Sequence, residues 1–272
     1  MTARPSDAWL AALQREADQP PLRPRVPLWA GGAVIGSVEP DFPEQLAQRA
    51  RPRTPLPWTR QQVAGVSGWQ LRGDVTPSLA EVAISLRDAG LAGAWRDEQL
   101  AVTAEDGERL GTIERAAVRP LGITTYAVHL DALSPDGSHW VQQRSHTKSN
   151  DPGLWDTLMG GMVSAADSLE LALERETWEE AGLRLTQLQG VGRGGRVTTR
   201  RPSRDGGGAG FIVEHIDWYR GVVPEDVVPT NRDGEVAQFE LLSPAALVAR
   251  MHRGEFTLEA ALVLWASAFA AP

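Results

Sequence analysis

Residues 160–183, GGMVSAADSLELALERETWEEAGL, constrain this chain more than any other stretch. Two glycines open the segment, good helix formers fill it and Gly182 closes it. Asp167 suits a helix N-cap, with Glu170 at the capping-box position. Gly182 suits the left-handed residue that ends a helix. The spacing predicts about four turns of helix between them. Leu169, Ala172 and Leu173, with Trp178 and Ala181 on a neighbouring stripe, supply its apolar surface.

Glu176, Glu179 and Glu180 stand at i, i+3 and i+4, so three carboxylates share one face within a turn. Like charges this close repel unless a cation bridges them. An oxygen-only set suits a hard ion, Mg²⁺ or Mn²⁺. Arg175, four residues before Glu179, can hold a carboxylate in place. Taken alone, the same triad also fits a solvated acidic helix face.

The flanking residues narrow this choice. Gly161 is followed by five residues, Asp167, seven residues, Arg175-Glu176, two residues, Glu179-Glu180, one residue and Gly182-Leu183. The pattern closely resembles the Nudix box, G-x5-E-x7-RE-U-x-EE-x-G-U. It departs at Asp167, where the box has Glu, and at Thr177, where the box has an aliphatic residue. Asp keeps a carboxylate, which in the family pairs with the arginine. Thr keeps a β-branched shape at a core-facing position. The resemblance implies an α/β (α+β) chain: a Nudix α/β/α sandwich with a mixed sheet, cleaving a diphosphate carried by a small molecule. It implies metal binding by Glu176, Glu179 and Glu180, with the Gly161 or Gly160 carbonyl as a further ligand. The cofactor would be Mg²⁺ (or Mn²⁺), which neutralises the diphosphate and activates a bound water. A box glutamate such as Glu179, or Glu235 outside the box, would be the general base, with Arg175 the third catalytic candidate. Asp233 is a weaker alternative to Glu235. A ligand sensor of the same fold would have no reason to keep the intact RE…EE set.

Ahead of the box, WVQQRSHTKSNDPGLWDTLMGG offers Arg144 and Lys148 as diphosphate contacts, with Trp155 and Asp156 as substrate-binding candidates. Two Nudix groups share a run of this type. Isopentenyl diphosphate isomerases need a cysteine in the segment corresponding to residues 158–161, and this chain has no cysteine. The other group includes the Nudix domain of fungal thiamine pyrophosphokinase and its plant and bacterial relatives, which carry a domain ahead of the Nudix fold. W-R-D-E at residues 95–98 resembles an element of that domain. This resemblance implies thiamine diphosphate, or its oxidised forms, as substrate. A nucleoside diphosphate derivative such as ADP-ribose or an NDP-sugar is the alternative.

At 272 residues the chain has room for about two domains. The expected division is a helix and Pro-rich linker at 1–26, a small α+β domain at 27–118 and the Nudix domain at 119–272. Predicted elements include a helix after Ser6, a hairpin around Gly31-Gly32, a helix entered at Asp41 and Glu44, and another over 78–89 after Thr76-Pro77. A buried helix is expected over the apolar run at 257–272. Arg193, Arg196, Arg200, Arg201 and Arg204 are read as a flexible, solvated hairpin tip, or else as a phosphate-attracting loop.

A net charge of −8 argues against nucleic acid or anionic membrane as partner. The partner expected is a small-molecule diphosphate substrate, and the chain is compatible with a homodimer. The first 21 residues show no apolar core of a signal peptide, and the lack of cysteine fits a reducing cytoplasm.

Overall fold

The computed structural model describes residues 4–52, 54–148 and 150–269. The last three residues of the expected terminal helix, 270–272, lie outside that range. Helix α1 (Asp7–Ala17) is capped by Ser6, whose Oγ accepts from Trp9 N at 3.2 Å. Strands β1 (Val26–Ala30) and β2 (Ala33–Val38) pair antiparallel across the Gly31-Gly32 turn. Then come α2 (Phe42–Ala50), β3 (Trp58–Val63), β4 (Val66–Leu71) and α3 (Val75–Asp88). A ribbon of β5 (Gln99–Thr103) and β6 (Arg109–Glu114) completes this part. The first four strands form a sheet in the order β2-β1-β4-β3. Leu28, Ile35, Leu46, Trp69, Leu79, Leu86 and Ile113 share one buried core.

Two helix entries differ from expectation. Asp41 makes no side-chain cap; Asp41 and Glu44 instead reach Arg60 Nη2 at 3.2 and 2.8 Å. Helix α3 begins three residues early, behind Asp74, and places Pro77 in its first turn. The β3–β4 hairpin carries no sequence signal. Its turn residue Ala64 sits at φ 49°, where glycine or asparagine is the usual choice, and every residue of β3 after Trp58 is exposed.

The second half holds β7 (Thr125–Leu133), β8 (His139–Arg144), β9 (Trp155–Thr157), β10 (Met159–Met162) and α4 (Leu169–Ala181). After these follow β11 (Gln189–Ser203), β12 (Gly210–Val222), β13 (Val236–Leu242), α5 (Pro244–His252) and α6 (Leu258–Phe269). The sheet runs β11-β12-β7-β8-β13, with β10 added to β7 and β9 to β8. It is mixed, because β12 lies parallel to β7 while the other pairs are antiparallel. Alternation along β7 sends Val128, Leu130 and Ala132 toward Ala172, Leu173 and Ala181 of α4. The opposite face packs on α6 and α1, through Leu13, Ala17, Trp155, Leu262 and Leu264. This is the α/β/α sandwich that the sequence implies.

The arginine-rich segment is an ordered strand rather than a flexible tip. It is strand throughout 189–203, and Arg193, Arg196 and Arg201 are engaged in ion pairs. Arg193 and Arg196 both pair with the fully buried Asp217, and Arg201 pairs with Glu259 at 2.8 Å. The tip is pinned by Gly206 N donating to Leu91 O at 3.0 Å.

Candidate active site

The turn between β10 and α4 does the positioning. Ser168, not Asp167, caps α4, its Oγ accepting from Leu171 N at 3.2 Å. Asp167 is thereby free to bind Arg175, whose Nε and Nη2 donate to its Oδ2 at 3.0 and 2.9 Å. The same guanidinium donates to Met162 O at 3.2 Å, to Glu176 Oε1 at 2.7 Å and to Glu179 Oε2 at 3.2 Å. Arg175 thus ties a strand, a helix entrance and two carboxylates together. Gly182 ends α4 at φ 66°, and Thr177 is fully buried. Gly161 lets the Glu176 carboxylate lie on the strand, since a Cβ there would collide with it.

Glu180 is 2% exposed, and its carboxylate accepts from Gly160 N at 3.0 Å, Gln142 Nε2 at 2.7 Å and Lys148 Nζ at 3.2 Å. Lys148 also pairs with Glu235 at 2.6 Å. Burial pushes the Glu176 carboxyl up to about 7, with Glu180 and Glu179 adding to the shift against the pull of Arg175. Burial likewise raises Glu180. Burial would raise Glu235 too, but Lys148 and the charges of Arg96 and Arg115 hold it below the usual carboxylate range.

Asp167, Glu176, Glu179, Glu180 and Glu235 therefore share two cations, Arg175 and Lys148. Among the described residues, no three acidic or imidazole groups converge on one point at metal-ligand range. The donor set nevertheless fits a hard divalent ion: it is all oxygen, partly buried and short of positive charge. Glu176, Glu179 and Glu180 are the residues that would hold it.

The NUDIX domain family matches residues 124–262. The chain belongs to the Nudix family. An uncharacterized protein of Saccharomyces cerevisiae is 29% identical over 192 residues, covering 65% of this chain and 55% of that protein. Nudix hydrolase 20, chloroplastic, of Arabidopsis thaliana is 32% identical over 187 residues, covering 65% of this chain and 47% of that protein. The chain spans about half the length of these two relatives. An isopentenyl-diphosphate Delta-isomerase of Leifsonia xyli subsp. xyli is 28% identical over 158 residues, covering 56% of this chain and 80% of that protein. A crystal structure from Deinococcus radiodurans has a TM-score of 0.49 at 24% identity, covering 61% of this chain and 97% of that one.

Beyond the Nudix box, the predicted substrate contacts divide. Lys148 stands between Glu180 and Glu235, inside the carboxylate group. Arg144 Nη1 reaches Asp156 Oδ2 at 3.2 Å, and Asp156 is 3% exposed. Asp156 thus orients Arg144 rather than facing a ligand. The expectation for Trp155 is corrected: its indole is 7% exposed, packs in the α1–α6 core and lies under Arg250, 4.7 Å from the ring centroid. Asp233 shapes the turn before β13 by accepting from Glu235 N at 2.8 Å.

Sequence reasoning missed Arg96, Arg115 and Arg119, which line a cleft of about 240 Å³ with Thr125, Met162 and Glu214. Only the W-R-D-E element marked this region. The convergence of this region with Met162 and Glu214, distant in sequence, left no trace in the pattern.

Proposed function

We propose that this Nudix-family chain is a hydrolase that cleaves the phosphoric anhydride bond of a small-molecule diphosphate with Mg²⁺ or Mn²⁺. The observation that carries this reading is the undercompensated carboxylate group that Arg175 organises on α4 and that Glu235 joins through Lys148. The bound ion would supply neutralising charge for the diphosphate and acidify a coordinated water. The chain's own residues do the rest. Arg175 fixes Glu176 and Glu179, while Gly160 and Gln142 fix Glu180. Glu179, with 44% of its side chain exposed, or the ionised Glu235 receives the proton of the attacking water. The water oxygen bonds to phosphorus as the bridging P–O bond breaks.

For the substrate, we propose thiamine diphosphate or an oxidised form of it, cleaved to the monophosphate plus phosphate. Supporting this, the alignments with the yeast and plant relatives extend over more of the chain than residues 124–262. We also treat residues 27–118 as an accessory domain, supported by a core drawn mostly from residues 28–123 and joined by Ala209 and Met162.

A specific observation favours a second substrate, a nucleoside diphosphate derivative such as ADP-ribose or an NDP-sugar. Trp155, the aromatic residue named as a substrate contact, is buried and not available to stack on a thiamine ring. Isomerase chemistry of the kind named for the Leifsonia relative is disfavoured, because this chain has no cysteine. No helix among the described residues is long and apolar enough to cross a membrane. The lack of cysteine fits a reducing cytoplasm. The test is a panel of thiamine diphosphates, ADP-ribose, NDP-sugars and dinucleotides with either metal, read by product mass. Monophosphate from thiamine-type diphosphates at the highest kcat/KM supports the first reading. A preference for nucleotides replaces it with the second. No metal-dependent turnover, with Glu179→Gln equally inert, refutes hydrolysis.

A further inference from the structure

One wall of the cleft that Met162 of the Nudix box helps to line is built by the segment ahead of the Nudix fold, and each residue of W-R-D-E has a place in or behind it. Arg87 lies 4.6 Å from the Trp95 ring centroid, and Trp95 Nε1 donates to Asp97 Oδ1 at 2.8 Å. Asp97 turns the chain at φ 54°. Glu98 Oε2 accepts from Arg115 Nη1 at 2.8 Å, and Glu98 O accepts from Arg115 N at 2.9 Å. Glu114, 3% exposed, accepts from Arg96 N at 3.0 Å and Ala116 N at 3.3 Å. The result is a braced loop that holds Arg96 and Arg115 at the cleft.

The arginines of this wall differ in how far they are neutralised. Arg119 pairs with Asp205 at 3.4 Å. Arg115 pairs with Glu98, yet 38% of its side chain stays exposed. The Arg96 guanidinium has no ion pair among the described residues. Met162, whose carbonyl accepts from Arg175 Nη2 at 3.2 Å, lines the same cleft as Arg96 and Arg115, so this wall shares its cavity with the strand that opens the Nudix box. A guanidinium is a planar fork of donors that matches phosphate oxygens two at a time, and a partly desolvated cleft strengthens such bonds.

We propose that Arg96 and Arg115 are substrate-binding residues that grip the terminal phosphate of the diphosphate, so that the segment ahead of the Nudix fold completes the active site. This rests on the hydrolase reading for the identity of the ligand, but binding can be measured without turnover. The probe is inorganic pyrophosphate in the presence of Mg²⁺, titrated calorimetrically into the full chain, with Tm recorded for every variant. Arg96→Gln should weaken pyrophosphate binding by about tenfold or more, since it removes a charge-assisted pair. It should leave Tm unchanged, because the side chain has no structural partner among the described residues. Arg115→Lys, which keeps the charge but loses the fork, should weaken binding less than Arg115→Gln. If Arg115→Gln fails to fold, Arg96→Gln decides.

Pyrophosphate binding within twofold of the native chain in both Arg96→Gln and Arg115→Gln overturns the proposal. So does a native chain that binds no pyrophosphate. Strong native binding that Arg96→Gln abolishes, in a chain that hydrolyses no diphosphate, sustains this site while overturning the hydrolase reading.

Discussion

Gly161 lies directly against the Glu176 carboxylate, with no space between strand β10 and helix α4 for even one added carbon. Its φ is outside the left-handed region, so the demand is steric and not conformational. Gly161→Ala should push Glu176 away from its neighbours at a cost of about 1–3 kcal/mol from overpacking. Mn²⁺ affinity and kcat should fall together, by an order of magnitude or more, while the fold survives. Titrating Mn²⁺ into both proteins checks this. An alanine variant that binds the ion as tightly as the native chain would sink the idea.

Glu176 makes stability depend on pH and metal together. Burial, helped by Glu180 and Glu179, lifts its carboxyl to about 7 in the folded chain, well above an unfolded glutamate. A raised folded value means that the folded state favours the proton. The stabilising contribution is complete below the unfolded value and is lost as pH rises through about 7. A bound divalent ion replaces that proton. Mg²⁺ should therefore raise Tm more at a pH of about 8.5 than at about 5.5. Thermal melts with Mg²⁺ and with a chelator, at both values, make the comparison. An equal shift at the two pH values counts against Glu176 as a ligand.

Asp167 and Ser168 have separate tasks, so their variants should separate too. Ser168→Ala removes the cap of α4 and should cost about 1 kcal/mol with KM and kcat little changed. Asp167→Asn leaves the cap but weakens the hold on Arg175, which carries Glu176 and Glu179. It should lower kcat about tenfold or more with a smaller loss of stability. Chemical denaturation and steady-state kinetics on both variants read this out. The opposite pattern, with Ser168→Ala inactive and Asp167→Asn merely unstable, would return the cap to Asp167.

This pair also shows how far the sequence can be read. The Gly161-to-Leu183 spacing specifies a strand–turn–helix unit because each position answers a local demand. The carboxylates share a face by helix period, Gly182 must be left-handed, and Thr177 must face the core. Choosing between two adjacent capping residues is not local, because it depends on Arg175 drawing Asp167 away. Trp155 shows the same limit, since only the docking of α6 and Arg250 decides whether its indole is covered. The arginines of β11 were legible as a cluster, but Asp217 and Glu259, which pair with Arg193, Arg196 and Arg201, come from other elements. Arg96 falls within W-R-D-E without a role of its own, and Arg115 is not singled out, because no period or spacing links either to the residues that share their cleft.

Lys148 occupies the position where charge balance is most exposed to test. Its ammonium sits between Glu235 and a Glu180 that is 2% exposed. Burial alone would lower its pKa, but Glu180 and Glu235 outweigh that and raise it, so it is a cation at neutral pH. Lys148→Met keeps the length of the side chain and deletes the charge. Without metal, Glu180 is then left buried against an apolar neighbour, and the chain should lose about 3–5 kcal/mol. A divalent ion bound by the same glutamates offsets that deficit. The variant should therefore gain more stability from Mg²⁺ than the native chain does, even as its affinity for a diphosphate falls. Denaturation curves of both proteins, with Mg²⁺ and with a chelator, give the four free energies required. If Mg²⁺ stabilises the variant no more than the native chain, Lys148 is not balancing the charge of the metal-binding group.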